Sequence, residues 1–396
     1  MCIVKSQLSI WYMKTIINKA LVLKDKKLII VIVIGALGGL VILITKAATY
    51  SVSIEAEQGV DTKLVVEDSS ASGGKAVKFG QASLVSWWKP AQNARWQWVL
   101  EGGITVDTAN LNRFDMWDID LTDAIPGNTT QTVTWANGET RTITWSKGKN
   151  ADAFTALKAS GKKVICYMDI GAYETYEPDA SLFPGKWGSG NNSRGSIPYN
   201  GPASYANIDV IGGTSEDSAG GTFEGEYWMD IRESAWQYWA PIMWARLDVA
   251  KKIGCDGVEG DQINSYGNDK TFNITQAHSL RLYREYYYQA HQRGLTVISK
   301  NGVELTDQQV TEPTGITYCK PGWCVPDGIL NEECQQYDEC SELNSATDKG
   351  LWVGQVEYRG NTTSTCPDAN SKGRMAMKKP ENYAVTEKIL WTCWEQ

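Results

Sequence analysis

The chain has 396 residues and a formal net charge of −8, long enough for one large domain or two ordinary ones. An acidic body argues against nucleic acid as a partner. With only two histidines, His278 and His291, a histidine-based metal centre or a Ser-His-Asp triad is not expected, and no cofactor motif is present.

Lys24, Lys26 and Lys27 precede Leu28–Ile44, a run without charge that Lys46 closes. Its length is at the lower limit for spanning a bilayer. Residues 1–48 are therefore expected to be a signal peptide or a membrane anchor, with the body exported. Residues 49–86 read as a short β arm with runs at Tyr50–Glu57, Lys63–Val66 and Ala76–Phe79. The pieces Glu55-Ala56-Glu57 and Ser72–Val77 resemble the opening hairpin of a β-sandwich carbohydrate-binding module. Such a sandwich needs about 100 residues, so the arm is expected to be a remnant.

From Trp87 the pattern alternates between strand-like and helix-like runs, which predicts an α/β fold with a parallel sheet. The candidate strands are Trp96–Leu100, Phe114–Leu121, Lys163–Met168, Tyr227–Ile231, Cys255–Glu259, Thr296–Ser299, Gly328–Glu332 and Trp352–Glu357. Helices are expected at Ala151–Ser160 before Gly161, from Trp236 to Ile253 before Gly254, and after Thr275 to Gly294. The sum is a (β/α)8 TIM-type barrel over residues 87–396. Asn137-Gly138 marks a two-residue hairpin inserted after the second strand. Its Trp135 and Trp145 are either sugar platforms or packed on each other. Residues 188–221, rich in Gly, Ser and Asn, read as a long loop.

The cysteines fit export. Cys319–Cys324, Cys334–Cys340 and Cys366–Cys393 are the expected disulfides. Cys166 and Cys255, inside strands, are expected to be buried free thiols. Of the 17 Trp and 18 Tyr, most belong in the core; a few suit stacking on sugar rings.

Polar groups recur at strand ends: Asp118 and Asp120; Tyr167, Asp169 and Glu174; Asp230 and Arg232; Glu259 and Asp261; Lys300 and Asn301; Glu332 and Glu333; Glu357 and Tyr358. A barrel gathers these ends on one face. Two carboxylates flanking a bond are what glycoside hydrolysis requires. The ordered motifs Trp96-Gln-Trp98, Phe114-Asp115 with Asp118-Ile-Asp120, Val164-Ile-Cys-Tyr167 with Gly171-Ala-Tyr-Glu174, Trp228-Met-Asp-Ile-Arg232, Asp256–Asp261, Lys300-Asn301, Asn331-Glu-Glu-Cys334 with Glu339-Cys340, and Val356-Glu-Tyr358 resemble glycoside hydrolase family 114, the endo-α-1,4-polygalactosaminidase family.

The resemblance covers roughly residues 90–360 and implies a barrel that cuts α-1,4-linked galactosamine polymers. It places the proposed catalytic acids at Asp261 and Glu332, with Glu333 as the structural alternate. On a retaining route Asp261 is the nucleophile and Glu332 the acid/base; on an inverting route one of them is the base for water. Substrate contacts are expected from Trp98, Asp118, Asp120, Tyr167, Asp169, Glu174, Glu259, Lys300, Asn301 and Glu357. The chain departs from the family pattern at Gly260, Gln262, Asn264, Met168-Asp169 and Glu177, and 319–327 reads as an insertion. The expected partner is an amino-sugar polysaccharide, with contact to a membrane through residues 28–44 if they are retained. The protein is expected to be a monomer. Two other readings fit the sequence: an inactive, membrane-tethered carbohydrate-binding protein on the same barrel, and a surface protein whose acidic ring binds Ca²⁺.

Overall fold

The computed structural model describes residues 65–67, 75–77, 85–185, 197–216, 222–268, 271–380 and 385–396. The apolar run Leu28–Ile44, Glu55, Glu57 and much of the 188–221 loop lie outside them. Among the described residues no helix is long and apolar enough to cross a membrane. In the arm, Val65–Glu67 pairs antiparallel with Lys75–Val77. From residue 84 onward the chain is a separate compact unit.

That unit is a (β/α)8 TIM-type barrel. Its eight parallel strands, in spatial as well as chain order, are Trp96–Val99, Met116–Asp120, Lys163–Asp169, Gly257–Asp261, Thr296–Lys300, Gly328–Glu332, Trp352–Glu357 and Met375–Lys378. The sheet curls without a backbone ladder between its first and eighth strands. Side chains bridge that seam: the Trp96 indole N–H donates to the Met375 carbonyl (2.9 Å), and Lys379 Nζ donates to Gln97 Oε1 (2.8 Å) and the Trp98 carbonyl (2.7 Å). Trp391–Thr392 adds an antiparallel edge.

Two strand assignments change. Tyr227–Ile231 is not a barrel strand. Thr222–Met229 lies in a separate antiparallel sheet between Ala172–Glu174 and Ile211–Glu216. Its mix of aromatic, acidic and apolar residues carries no information about which sheet it joins. The true eighth strand, Met375–Lys378, has four residues and none of them β-branched, so β-propensity gave no signal.

Alternation along the strands divides the core into two layers. Trp96, Trp98, Met116, Ile165, Ile298, Leu330, Trp352, Val356 and Met377 fill the barrel. Trp117, Ile119, Val164, Cys166, Met168, Val258 and Val297 face outward into the layer under the helices. The helix Glu233–Ile253 runs unbroken through Pro241 and stops at Gly254 in the left-handed conformation. Gln276–Gln292 is capped by Thr275. The Thr129–Thr134 and Thr140–Trp145 hairpin forms as expected, but its tryptophans are not sugar platforms. Trp135 and Trp145 are buried in the outer core, donating to the Tyr238 carbonyl and to Gln131 Oε1.

The three expected disulfides are present, and Cys166 and Cys255 form a fourth rather than remaining free thiols. Cys166 faces out of its strand, and Cys255 lies just before the neighbouring strand, so the two sulfurs meet in the outer layer. Strand pairing brings them together across 89 residues of chain.

Candidate active site

The C-terminal ends of the strands open into a cavity of about 910 Å³. At its centre is Lys300, at the end of the fifth strand. Its ammonium lies 2.8 Å from Asp261 Oδ2, 3.3 Å from Glu332 Oε2 and 3.9 Å from Glu259 Oε1. The ring faces of Trp98 and Tyr167 stand 4.4 and 5.2 Å from it, where the ring quadrupole favours a cation. Burial alone would lower the lysine's proton affinity. The three carboxylates outweigh it and hold its pKa well above the ordinary value.

Asp261 ends the fourth barrel strand. Its Oδ2 accepts from the Tyr167 hydroxyl (3.1 Å) and its Oδ1 from the Gln262 backbone N–H (2.7 Å). Glu332 ends the sixth strand. It accepts from Asn301 Nδ2 (3.1 Å) and from the Tyr358 hydroxyl (2.5 Å), while its own N–H donates to Asn301 Oδ1 (3.1 Å). Burial opposes ionisation of Glu332, but Lys300 and the Tyr358 and Asn301 hydrogen bonds hold it below the usual carboxylate range. The residues directly after the three strand ends, Gln262, Asn301 and Glu333, all have positive φ, between 51° and 60°. Non-glycine residues in that region carry a conformational cost and cluster at functional sites. The turns close the strands sharply, keeping Asp261, Lys300 and Glu332 at the mouth. Gly260 is required for a different reason: a Cβ there would lie 2.7 Å from the Tyr286 ring.

Trp98, Asp120, Tyr167, Glu174, Lys300 and Asn301 line the cavity together with Asp261 and Glu332. Asp118, Asp169, Glu259 and Glu357 do not. Asp118 and Glu259 lie one pleat deeper, with Glu259 Oε2 accepting from the Trp98 indole (3.2 Å). Asp169 is buried level with Asp261 and accepts from the Tyr167 hydroxyl at 2.8 Å. Glu357 faces out of the barrel because it is one residue out of phase with Val356 and Tyr358. It accepts from Gln355 Nε2 and the Gln335 N–H, and burial pushes it up to about 7. Asp230 and Arg232 pair with each other at 2.7 Å and do not line the cavity.

Two residues central to the wall were not singled out from sequence. Glu226 stands directly across the satellite sheet from Glu174, like charge facing like charge. Arg246, buried in the long helix, offsets this by binding Glu174 (3.0 Å) and Asp179 (2.8 Å). Glu226 is held by Ser215 and Gln262. A helical arginine more than 60 residues from its partners leaves no local pattern to read.

Twelve carboxylate residues and two lysines line the cavity. Burial raises several of the acids around it: Asp118 to about 7, Glu226 to about 7, and Asp120, which Glu177 also opposes, to about 8. In each case the folded-state value exceeds the unfolded one near 4. The folded state therefore binds more protons between pH 4 and 8, and stability falls as pH rises through that window. The melting temperature is expected to be at least about 5 °C higher at pH 5 than at pH 8, as differential scanning calorimetry would show. Among the described residues the one cluster with metal-ligand spacing is Cys334, Cys340 and Glu357, and its two sulfurs are bonded to each other.

The family description "Glycoside-hydrolase family GH114" matches residues 80–389. No curated protein matches the chain. Among solved structures, Ega3 of Aspergillus fumigatus, determined in complex with galactosamine, aligns with a TM-score of 0.54 and 23% identity over 77% of this chain and 98% of that one. The glycoside hydrolase domain of PelA from Pseudomonas aeruginosa aligns with a TM-score of 0.43 and 13% identity, over 76% of this chain and 98% of that one. Ega3 shares the fold, and the match over residues 80–389 establishes that the chain belongs to glycoside-hydrolase family GH114 and is a glycosidase.

Proposed function

We propose that the protein cleaves an amino-sugar polysaccharide of the α-1,4-linked galactosamine type by a retaining route, with Asp261 as nucleophile and Glu332 as acid/base. The observation that carries the reading is the Asp261–Lys300–Glu332 bridge. The two carboxylate oxygens can be no farther apart than the sum of their distances to Lys300 Nζ, 2.8 and 3.3 Å. That limit favours the retaining spacing of about 5–5.5 Å over the inverting spacing of about 6.5–9.5 Å. An excess of carboxylates on the cavity wall suits a cationic chain, and the galactosamine bound to Ega3 agrees with it.

Lys300 and Tyr358 keep Glu332 ionised in the free protein, which is the form that activates water in the second half of a retaining reaction. For the first half Glu332 must take up a proton, so activity should favour acidic pH. Proton NMR of the first sugar released from a deacetylated α-1,4-galactosamine polymer tests the route. Retention of the anomeric configuration is expected; inversion would overturn the assignment. Export through residues 1–48 is part of the proposal, and four disulfides support an oxidising compartment.

A further inference from the structure

Five large apolar side chains are prominently exposed among the described residues: Val85, Tyr176, Phe223, Tyr337 and Leu390. The three aromatic ones all line the catalytic cavity. Exposed aromatic rings confined to one cleft are unlike scattered surface apolar residues, which need no explanation.

Tyr176 is the most exposed of them, at 62%. It follows the Ala172–Glu174 strand of the satellite sheet, where the Thr175 N–H donates to the Gly225 carbonyl at 2.8 Å. Gly225 has φ +84°, and a Cβ on it would lie 3.3 and 3.5 Å from Cδ1 and Cε1 of the Tyr176 ring. The bare backbone of Gly225 thus seats the ring from one side, leaving the rest of it open to the cavity. Phe223, two residues earlier, lines the same wall. The wall also carries Glu177 and Glu224.

The order around the rim gives these rings a direction. Tyr176 and Phe223 belong to elements inserted after the third barrel strand. Asp261, Lys300 and Glu332 end the fourth, fifth and sixth, and Tyr337 lies in the loop beyond the sixth. The carboxylate pair therefore stands between aromatic rings on both sides. We infer that Tyr176 and Phe223 build an outlying sugar-binding subsite, in which a pyranose ring of the polymer stacks on the aromatic faces and its ammonium group meets Glu177 and Glu224. With Tyr337 on the opposite side, the chain is gripped on both sides of the cleaved bond. This rests on the reading that Asp261 and Glu332 cleave a glycan; it adds which residues bind the chain away from that bond.

The test uses α-1,4-linked galactosamine oligomers of graded length with the purified protein and its Tyr176→Ala, Phe223→Ala, double and Tyr176→Phe variants. Loss of one stacking partner should raise KM for long oligomers about tenfold, leave kcat and the shortest cleavable oligomer unaffected, and shift the position of cleavage. Tyr176→Phe keeps the ring face and should restore the wild-type KM. A double variant with wild-type melting temperature, KM and product pattern at every length would overturn the subsite while leaving the reaction in place. A wild-type protein that cleaves none of the oligomers would overturn the reaction, and the subsite with it.

Discussion

Asp261→Asn or Glu332→Gln is expected to reduce release of oligosaccharides from a galactosamine polymer by about a thousandfold or more. On the proposed mechanism both carboxylates act on the reacting atoms, and removing a positioned acid, base or nucleophile costs about a hundredfold to a millionfold. Neither change should unfold the barrel. Each amide keeps the shape and one accepting oxygen, so the amide at position 261 can still accept from Tyr167 or the Gln262 N–H, and the one at position 332 from Tyr358 or Asn301, but not from both; relief of like-charge crowding offsets part of the lost contacts. The measurement is turnover beside melting temperature for each variant. Wild-type turnover in both would refute the assignment. A thousandfold loss in only one would show that the other carboxylate is a spectator.

The second large effect is on stability. Lys300→Met leaves Glu259, Asp261 and Glu332 without their shared cation in a buried position. Removing one member of a buried ionic group costs about 3–5 kcal/mol because the remaining charge is uncompensated. The pH dependence follows from the signs. In the wild type Glu332 has a folded-state pKa below its unfolded value, so its contribution is present above the ordinary carboxylate range and is lost as pH falls through the folded value. Without Lys300 the carboxylates escape the penalty only by taking up protons. Urea unfolding should therefore show the full deficit of Lys300→Met near pH 7.5 and a much smaller one near pH 4.5. An equal deficit at both would mean that Lys300 matters for packing against Trp98 and Tyr167 and not for its charge. In the same variant the alkaline limb of the activity profile should move to higher pH, because Glu332 would hold its proton longer.

The sequence was most informative where chemistry and period coincide. A strand ending in Gly257–Asp261 repeats inward-facing positions every second residue, so Glu259 and Asp261 share a face whatever the partner strands are. The local disulfides Cys319–Cys324 and Cys334–Cys340 span five and six residues and were legible for the same reason. Parity was also decisive at Glu357, but there the sequence misled: ending a strand does not say which face a residue takes, and the pleat turns Glu357 away from the mouth.

By itself the sequence determined the barrel class and the ring of strand-end carboxylates, because these depend on period, residue type and motif order; Asp261 and Glu332 are proposed as the catalytic pair through the family resemblance. Only the tertiary structure decided which strands close the barrel, that Cys166 meets Cys255, and that Lys300 draws the two carboxylates within one ammonium's reach. It also decided that the exposed aromatic rings lining the cavity are Tyr176, Phe223 and Tyr337, while Trp135 and Trp145 are buried. The physical reason is the same throughout. Burial, facing direction and ionic partners arise between segments far apart in the chain, where local propensity is silent and packing, desolvation and charge compensation choose among arrangements that look alike in sequence.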